Sequence, residues 1–456
     1  VCHEGSPRPP GEPQGAWGKR GGPRRVSNVN LDSAGRPDKN WAGNIAFAAP
    51  DFYRPAAVSE LRAVVARARQ VRVLATGHSF NDMADSPGAQ VSLAGLPPEV
   101  EVDSANSLVR VAAGLSYAGL APRLDAKGFA LRNMASLPHI SVAGACATAT
   151  HGSGAANQNL AAAITALEFV TADGDIVEFR RGDDSFPGAV VHLGGLGVVT
   201  RLVLEVVPAF GISQRVYEDL PLEVLDDHFA DIMASGYSVS LFTDWRAPRL
   251  TQVWIKQRAG DGSSAPPAAI TEAPWFTAPP APAARNPVPG LPPDTCTQQL
   301  GVPGPWFERL PHFRPEFTPS AGDELQSEYL LPATRAVPAV RALSQISDRL
   351  APVLRICEVR MIAADDLWLS PCYRQDSVAF HFTWMPDTAA VLPVVTLMEQ
   401  RLAPFGARPH WGKIFTTSAA DLGSRYDRLP DFLDLMNHYD PAGKFRNAYT
   451  ARYLGR

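Results

Sequence analysis

Residues 71–84, VRVLATGHSFNDMA, run from β-branched apolar residues into a glycine followed at once by a histidine and a serine. A strand ending in Gly-His-Ser begins like the nucleophile elbow of a hydrolase, Gly-x-Ser-x-Gly, whose tight turn lifts a reactive serine above a sheet. Asn81 stands where that elbow needs its second glycine, so either Ser79 is not the reacting atom or the loop serves other chemistry. A hydrolase would also need an acid and a histidine farther along; Asp440 and His410 are available, as such residues are in any chain this long. Phosphate motifs fail in turn. GGLGVVT at 194–200 lacks the third glycine of a dinucleotide fingerprint, and DPAGKF at 440–445 lacks the first glycine and the Ser/Thr of a Walker loop. There is no HExxH, and the ten histidines form no ligand-spaced cluster, so no catalytic metal is expected. Two small-residue loops remain, 77–81 and 135–154, each able to bring backbone N–H groups close to an anion. Together they could wrap a pyrophosphate; either alone reads equally well as an ordinary tight turn.

These loops need strands and helices to hold them. RPAAVSELRAVVARARQ, 54–70, places Val58, Leu61, Val64 and Val65 on one helical face, and VRVLATG follows as a buried strand. SLVRVAAG is another strand, LSYAGLAPRLDAKG a helix closed by Gly128, and AITALEFVTADGDIVEF a hairpin turning at Asp173-Gly174. GVVTRLVLEVVP adds a strand, and Pro208 closes a first lobe. Residues 211–408 read as a second α+β lobe, interrupted between about 259 and 306 by a proline-dense surface loop. The segment 409–456 carries too little core to stand alone. Residues 1–39, rich in Pro, Gly and Arg, are expected to be a disordered extension.

The chain has 456 residues, 45% of them hydrophobic, enough for a large core. Lys+Arg at 42 against Asp+Glu at 46 leaves no basic stripe for a phosphate backbone or an anionic membrane surface, so no nucleic-acid partner is expected. Five scattered cysteines without a CxxC suit a reducing cytoplasm. No apolar run approaches the roughly 18 to 20 residues of a membrane span. We expect a cytoplasmic monomer without membrane attachment.

Taken together, the two loops and a series of longer stretches resemble the FAD-binding vanillyl-alcohol oxidase family, and within it the alditol oxidases, which act on sugar alcohols. The likeness covers the chain from NWAGN at residue 40 onward: GHSFN, NMASLPHISVAG, THGSG, GGLGVVT, SVSLFTDWRAP, GVPGPWFERLPHFRPEFTPS, ELQSEYLLP, CEVR, HFTW, RPHWGK and DPAGKFRNA. It implies an α+β, two-lobed flavoprotein of the FAD-binding PCMH type, with FAD extended between lobes. The FAD domain would span 40–210, a substrate (cap) domain 211–408, and the segment 409–456 would pack back where the two meet.

By the same resemblance His78 is bonded covalently to the 8α-methyl of the flavin, although a lone loop histidine more often simply faces solvent. Thr76, Gly77, Ser79, Asn81, Ala135, Ser136, Gly144, Thr148, His151, Gly152, Val199 and His410 are implied around FAD. Relatives commonly read Thr-Gly-Thr before HGSG; here Ala149 replaces the glycine, at a cost of about 1 kcal/mol if the backbone needs positive φ. Ser136, Glu358, Arg360, Thr383 and Lys413 carry over as substrate-binding residues, with His381 beside them. Lys413, Arg360, Glu358 and His381 form the implied catalytic group. As strands, CEVR and HFT put Glu358 with Arg360, and His381 with Thr383, on one side. Residue by residue, a surface ion pair, a solvated lysine and strand packing are the plainer readings; four polar residues in apolar strands favour a site.

The expected reaction removes a hydride from the terminal carbinol of a linear polyol such as xylitol or sorbitol. Oxygen is then reduced to hydrogen peroxide, although Ala135 lies where side-chain bulk gates oxygen in the family and another acceptor stays open. An aldonolactone oxidase of the same fold is the alternative, and a flavin-free binding protein a third reading.

Overall fold

The computed structural model describes residues 37–259, 275–316 and 324–455. The proline-, glycine- and arginine-rich stretch, except its last three residues, and residues 260–274 of the proline-dense stretch lie outside them. Near the start Lys39 bridges to Ala46, and the Asn40 side chain donates to the Ser79 carbonyl at 2.9 Å, so the chain enters against the GHSFN loop.

The amphipathic spacing after Arg54 becomes the helix Val58–Arg67, with Leu61, Val64 and Val65 buried. Beside it stands a parallel sheet of three short strands in the order Asp51–Tyr53, Ala89–Val91, Val71–Val73. A five-stranded antiparallel sheet follows, in the order Val100–Asp103, Leu108–Ala112, Val198–Glu205, Ile164–Val170, Ile176–Arg180. Its hairpin turns at Asp173-Gly174 as the sequence predicts. Gly174 has φ +83°, and a Cβ there would press on the Arg62 carbonyl at 2.9 Å.

The second lobe is built on an eight-stranded antiparallel sheet. Its order is Gly304–Pro305, Gly211–Pro221, Arg249–Ala259, Ser238–Thr243, Leu354–Ile362, Ser377–Trp384, Leu325–Pro332, Arg408–Pro409. Strand Leu325–Pro332 is buried on both faces, and parity divides its side chains. Tyr329, odd, donates to Glu399 of the helix Thr388–Leu402 at 2.5 Å, while Gln326 and Glu328, even, line a cleft on the other face. In the neighbouring strands the cleft face takes Ile356, Glu358 and Arg360, and His381 with Thr383.

The segment after Pro409 packs against the first lobe. Lys444 donates to the carbonyls of Val65 (2.8 Å) and Ala172 (2.6 Å), its own carbonyl accepts from Val71 N–H, and the Asn447 amide donates to three carbonyls of 82–85. Within this packing Arg72 is buried and donates to the carbonyls of Met83, Leu193, Gly194 and Phe445 at 2.5–2.9 Å. One guanidinium thus joins the end of the GHSFN loop, the GGLG loop and the DPAGKF turn. Arg72→Met keeps the bulk but leaves buried acceptors unpaired, at about 1–3 kcal/mol each. We expect thermal unfolding to show a loss of at least about 3 kcal/mol.

Candidate active site

Between the small-residue loops of the first lobe and the large sheet of the second lies a cleft of about 900 Å³. Its first wall is made of residues with little side chain, Ala75, Gly77, Gly114, Gly194 and Gly197 from loops, and Ala143, Gly144 and Ala147 from the short helix Val142–Ala147, where the sequence predicts a loop. Gly77 has φ +66°, the left-handed turn that delivers His78 to the cleft. His78 Nδ1 meets the Thr76 carbonyl at 3.1 Å, and because a carbonyl only accepts, the ring proton sits on Nδ1. Nε2 then carries a lone pair, is shut off from water and has no partner among the described residues. Burial, aided by neighbouring His139, brings this imidazole down to about 3, so it is neutral. The Ser79 hydroxyl donates to the Met83 sulfur at 3.3 Å, and both Asp440 oxygens accept backbone N–H groups of Lys444 and Phe445. No hydrolase triad is assembled from these residues.

The second wall is a row of polar groups set by strand register. Glu358 pairs laterally with His381, and His381 with Glu328, so three adjacent strands present three ionisable groups side by side. Glu328 is the hub. Its carboxylate accepts from Arg360 at 2.5 Å, lies 3.2 Å from Lys413 Nζ and 3.1 Å from His151 Nε2, and is 2% exposed. Burial alone would raise its carboxyl, but Lys413, His151 and Arg360 outweigh that and hold it well below the usual range. For Glu358 burial is likewise outweighed, by Arg360 and by His312, whose Nε2 stands 2.7 Å from Oε1. Lys413 Nζ meets Gln326 Oε1 at 2.8 Å and His381 Nδ1 at 2.7 Å. Its ammonium is lowered first by burial, with Glu328 opposing and Arg360 assisting. His381 is brought down to about 4 by burial and then by Lys413.

Of the residues expected at a site, Thr76, Gly77, His78, Ser79, Ala135, Ser136, Gly144, Thr148, His151, Val199, Glu358, Arg360, His381, Thr383, His410 and Lys413 all line this cleft. Burial of Glu358, Arg360, His381 and Thr383 rules out the surface ion pair, and Lys413, partly buried with its Nζ held by Gln326, Glu328 and His381, is not a solvated lysine. Two residues stand behind the lining. The Asn81 amide donates to the carbonyls of Trp411 (2.8 Å) and Lys413 (3.0 Å), holding the loop that carries Lys413. Gly152 has no room for a side chain, since a Cβ would overlap the Asn133 amide and the Met134 carbonyl. Ala149 adopts φ +53°, the strained conformation a glycine would take freely. Sequence reasoning missed Glu324, Gln326, Glu328, His312 and Lys256; the first three alternate in ELQSEYLLP just as Glu358 and Arg360 do in CEVR.

The chain matches proteins of known family. Residues 51–180 match the model of an FAD binding domain, and residues 323–453 that of D-arabinono-1,4-lactone oxidase. An alditol oxidase of Streptomyces sp. is 53% identical over 91% of this chain and 98% of its own. The chain belongs to the alditol oxidase family. A more distant member of the group around this family is the L-gulono-1,4-lactone dehydrogenase of Mycobacterium tuberculosis, 30% identical over 91% of this chain and 98% of its own. In fold, the family chain also matches a cholesterol oxidase from B. sterolicum, with a TM-score of 0.73, 13% identity and coverage of 91% and 96%.

The first wall suits the FAD expected of an alditol oxidase family member: glycines and alanines leave room along the cleft, and the unpartnered His78 nitrogen points to an occupant. Thr76, Gly77, Ser79, Gly144, Thr148 and Val199 would hold the cofactor from that side. The polar row depends on Glu328, because its removal leaves Arg360 and Lys413 buried without their shared counter-charge. Glu328→Gln keeps the shape and is expected to cost about 3–5 kcal/mol in chemical denaturation. An unchanged unfolding midpoint would show that Glu358 and Gln326 suffice.

Proposed function

We propose that this protein is an FAD-dependent oxidase of linear polyols, taking a hydride from the terminal carbinol and yielding the aldose. The observation that carries this reading is the uncharged substrate's match to the second wall: Glu358, Arg360, Thr383, His381 and Lys413 converge on a cleft that also receives Ser136, offering both donors and acceptors for successive hydroxyls. When bound, FAD would supply the hydride acceptor and the route by which electrons reach oxygen to give hydrogen peroxide. The aldonolactone alternative has weaker support, since its relatives stand at 30% identity or near it.

Hydride departure leaves positive character on the carbinol oxygen unless its proton goes too. Lys413 serves as the acceptor in this reading. Burial and Arg360 favour its neutral form, and its Nζ is oriented by Gln326, Glu328 and His381. Arg360 is charged at any working pH and has an Nε donor without a hydrogen-bond partner among the described residues, placed to stabilise a developing alkoxide. Glu358 accepts from a substrate hydroxyl. His78 would tether the flavin. Four described cysteines are buried and unpaired, in keeping with a cytoplasmic protein, which we read as a monomer; no helix among the described residues is long and apolar enough to cross a membrane.

The direct test is the visible spectrum of the purified protein before and after xylitol, with and without air. Bleaching by xylitol and recovery in air with peroxide release supports the reading; a colourless protein, or colour that no polyol bleaches, refutes it. Lys413→Met should slow anaerobic bleaching by at least about 100-fold with FAD content unchanged. A near wild-type rate would transfer the role of base to His381. Acid precipitation tests the tether: yellow colour should stay with the wild-type polypeptide and leave it entirely in His78→Ala.

A further inference from the structure

The reaction as derived leaves another buried lysine without a task. Lys256 sits inside the large sheet on the strand Arg249–Ala259 and is 1% exposed. Its Nζ donates to the Leu310 carbonyl and to the Pro311 carbonyl (3.1 Å), and meets His312 Nδ1 at 3.2 Å. His312 Nε2 in turn meets Glu358 Oε1 at 2.7 Å. An ammonium has three N–H groups and no lone pair, so Nδ1 can only accept from it. His312 is brought down to about 4 by burial and then by Lys256, and is neutral. Its single proton must therefore sit on Nε2 and be donated to Glu358.

We propose that Lys256 is a positioning residue for the polyol site, which through the tautomer of His312 keeps Glu358 an ionised acceptor for a substrate hydroxyl. This rests on the polyol-oxidase reading. The chain has a second state. When Lys256 loses its proton to solvent, two N–H groups still serve the two carbonyls and the new lone pair faces His312. The imidazole proton moves to Nδ1, and Nε2 then opposes the Glu358 carboxylate lone pair to lone pair. Glu358 turns away, and the substrate hydroxyl loses its acceptor.

The groups that face Lys256 are few. Burial lowers it to about 7, Glu358 and the Cys296 thiol raise it, and Arg360 lowers it. Cys296 is itself pushed up to about 12 by burial and stays neutral. The residues in register on the two flanking strands, Gln214 and Ser238, are uncharged. Below about pH 7 Lys256 is therefore charged and Glu358 is set to accept; above it the setting is lost.

The test is the pH dependence of xylitol turnover by the holoenzyme between about pH 5.5 and 9. In the wild type KM should rise at least about fivefold as pH passes 7, with kcat changing less. Lys256→Met should show the raised KM already at low pH and no further rise. His312→Phe, whose ring fits between Phe242 and Trp254, should behave alike, and the double variant should add nothing. Should Lys256→Met not fold, His312→Phe interrupts the same chain and is read in the same way. Variants that keep the wild-type KM and its rise overturn this inference alone. A wild type that oxidises no polyol overturns the functional reading and this inference with it.

Discussion

The cleft face of the large sheet depends on one carboxylate that water does not reach. Glu328 is within ion-pair distance of Arg360, Lys413 and both His151 and His381, and so joins the loop of the first lobe, three strands of the second and the C-terminal segment. Taking such groups out of water costs several kcal/mol per ion, and the cost is offset only because every charge has its counterpart within reach. The result is a stiff polar template: Lys413 cannot swing away without abandoning Glu328 and Gln326, and Arg360 is clamped between two carboxylates.

The two walls of the cleft are also locked to each other away from these charges. The Ser136 carbonyl accepts the N–H groups of His312 (3.2 Å) and Phe313 (3.3 Å), the Ser153 hydroxyl donates to the Val239 carbonyl, and Gly154 N–H to the Met361 carbonyl. The same loops that leave room for a cofactor thus register the sheet bearing the polar row.

Strand parity made part of the site legible. Glu358 with Arg360, and His381 with Thr383, stand out because a period of two among apolar neighbours admits one meaning on a sheet with a covered back. ELQSEYLLP obeys the same rule, yet the central role of Glu328 comes from its neighbours in space, Arg360 32 residues downstream and His151 far upstream, and a period within one strand says nothing of those. Lys256 and His312 are harder still: a lysine near the end of a long strand reads as solvated, and only the register of the sheet and the path of 310–312 put it in the interior. Asn81 shows the converse. Its position in a conspicuous loop suggests direct contact with a ligand, whereas its amide is spent on carbonyls 330 and 332 residues away. The hairpin at Asp173-Gly174 and the helix after Arg54 were legible because local turn chemistry and local spacing decide them.

Arg72 lies early in the chain, and one of the carbonyls it satisfies belongs to Phe445, 373 residues later. Closing so long a loop costs more conformational entropy than a local contact and is slow to reward. Until Phe445 has been made, the guanidinium of Arg72 lacks one of its acceptors, and Lys413 comes from the same late part of the chain. Truncation before residue 413 would therefore remove at once a tie of the GHSFN loop and the ammonium that faces Glu328.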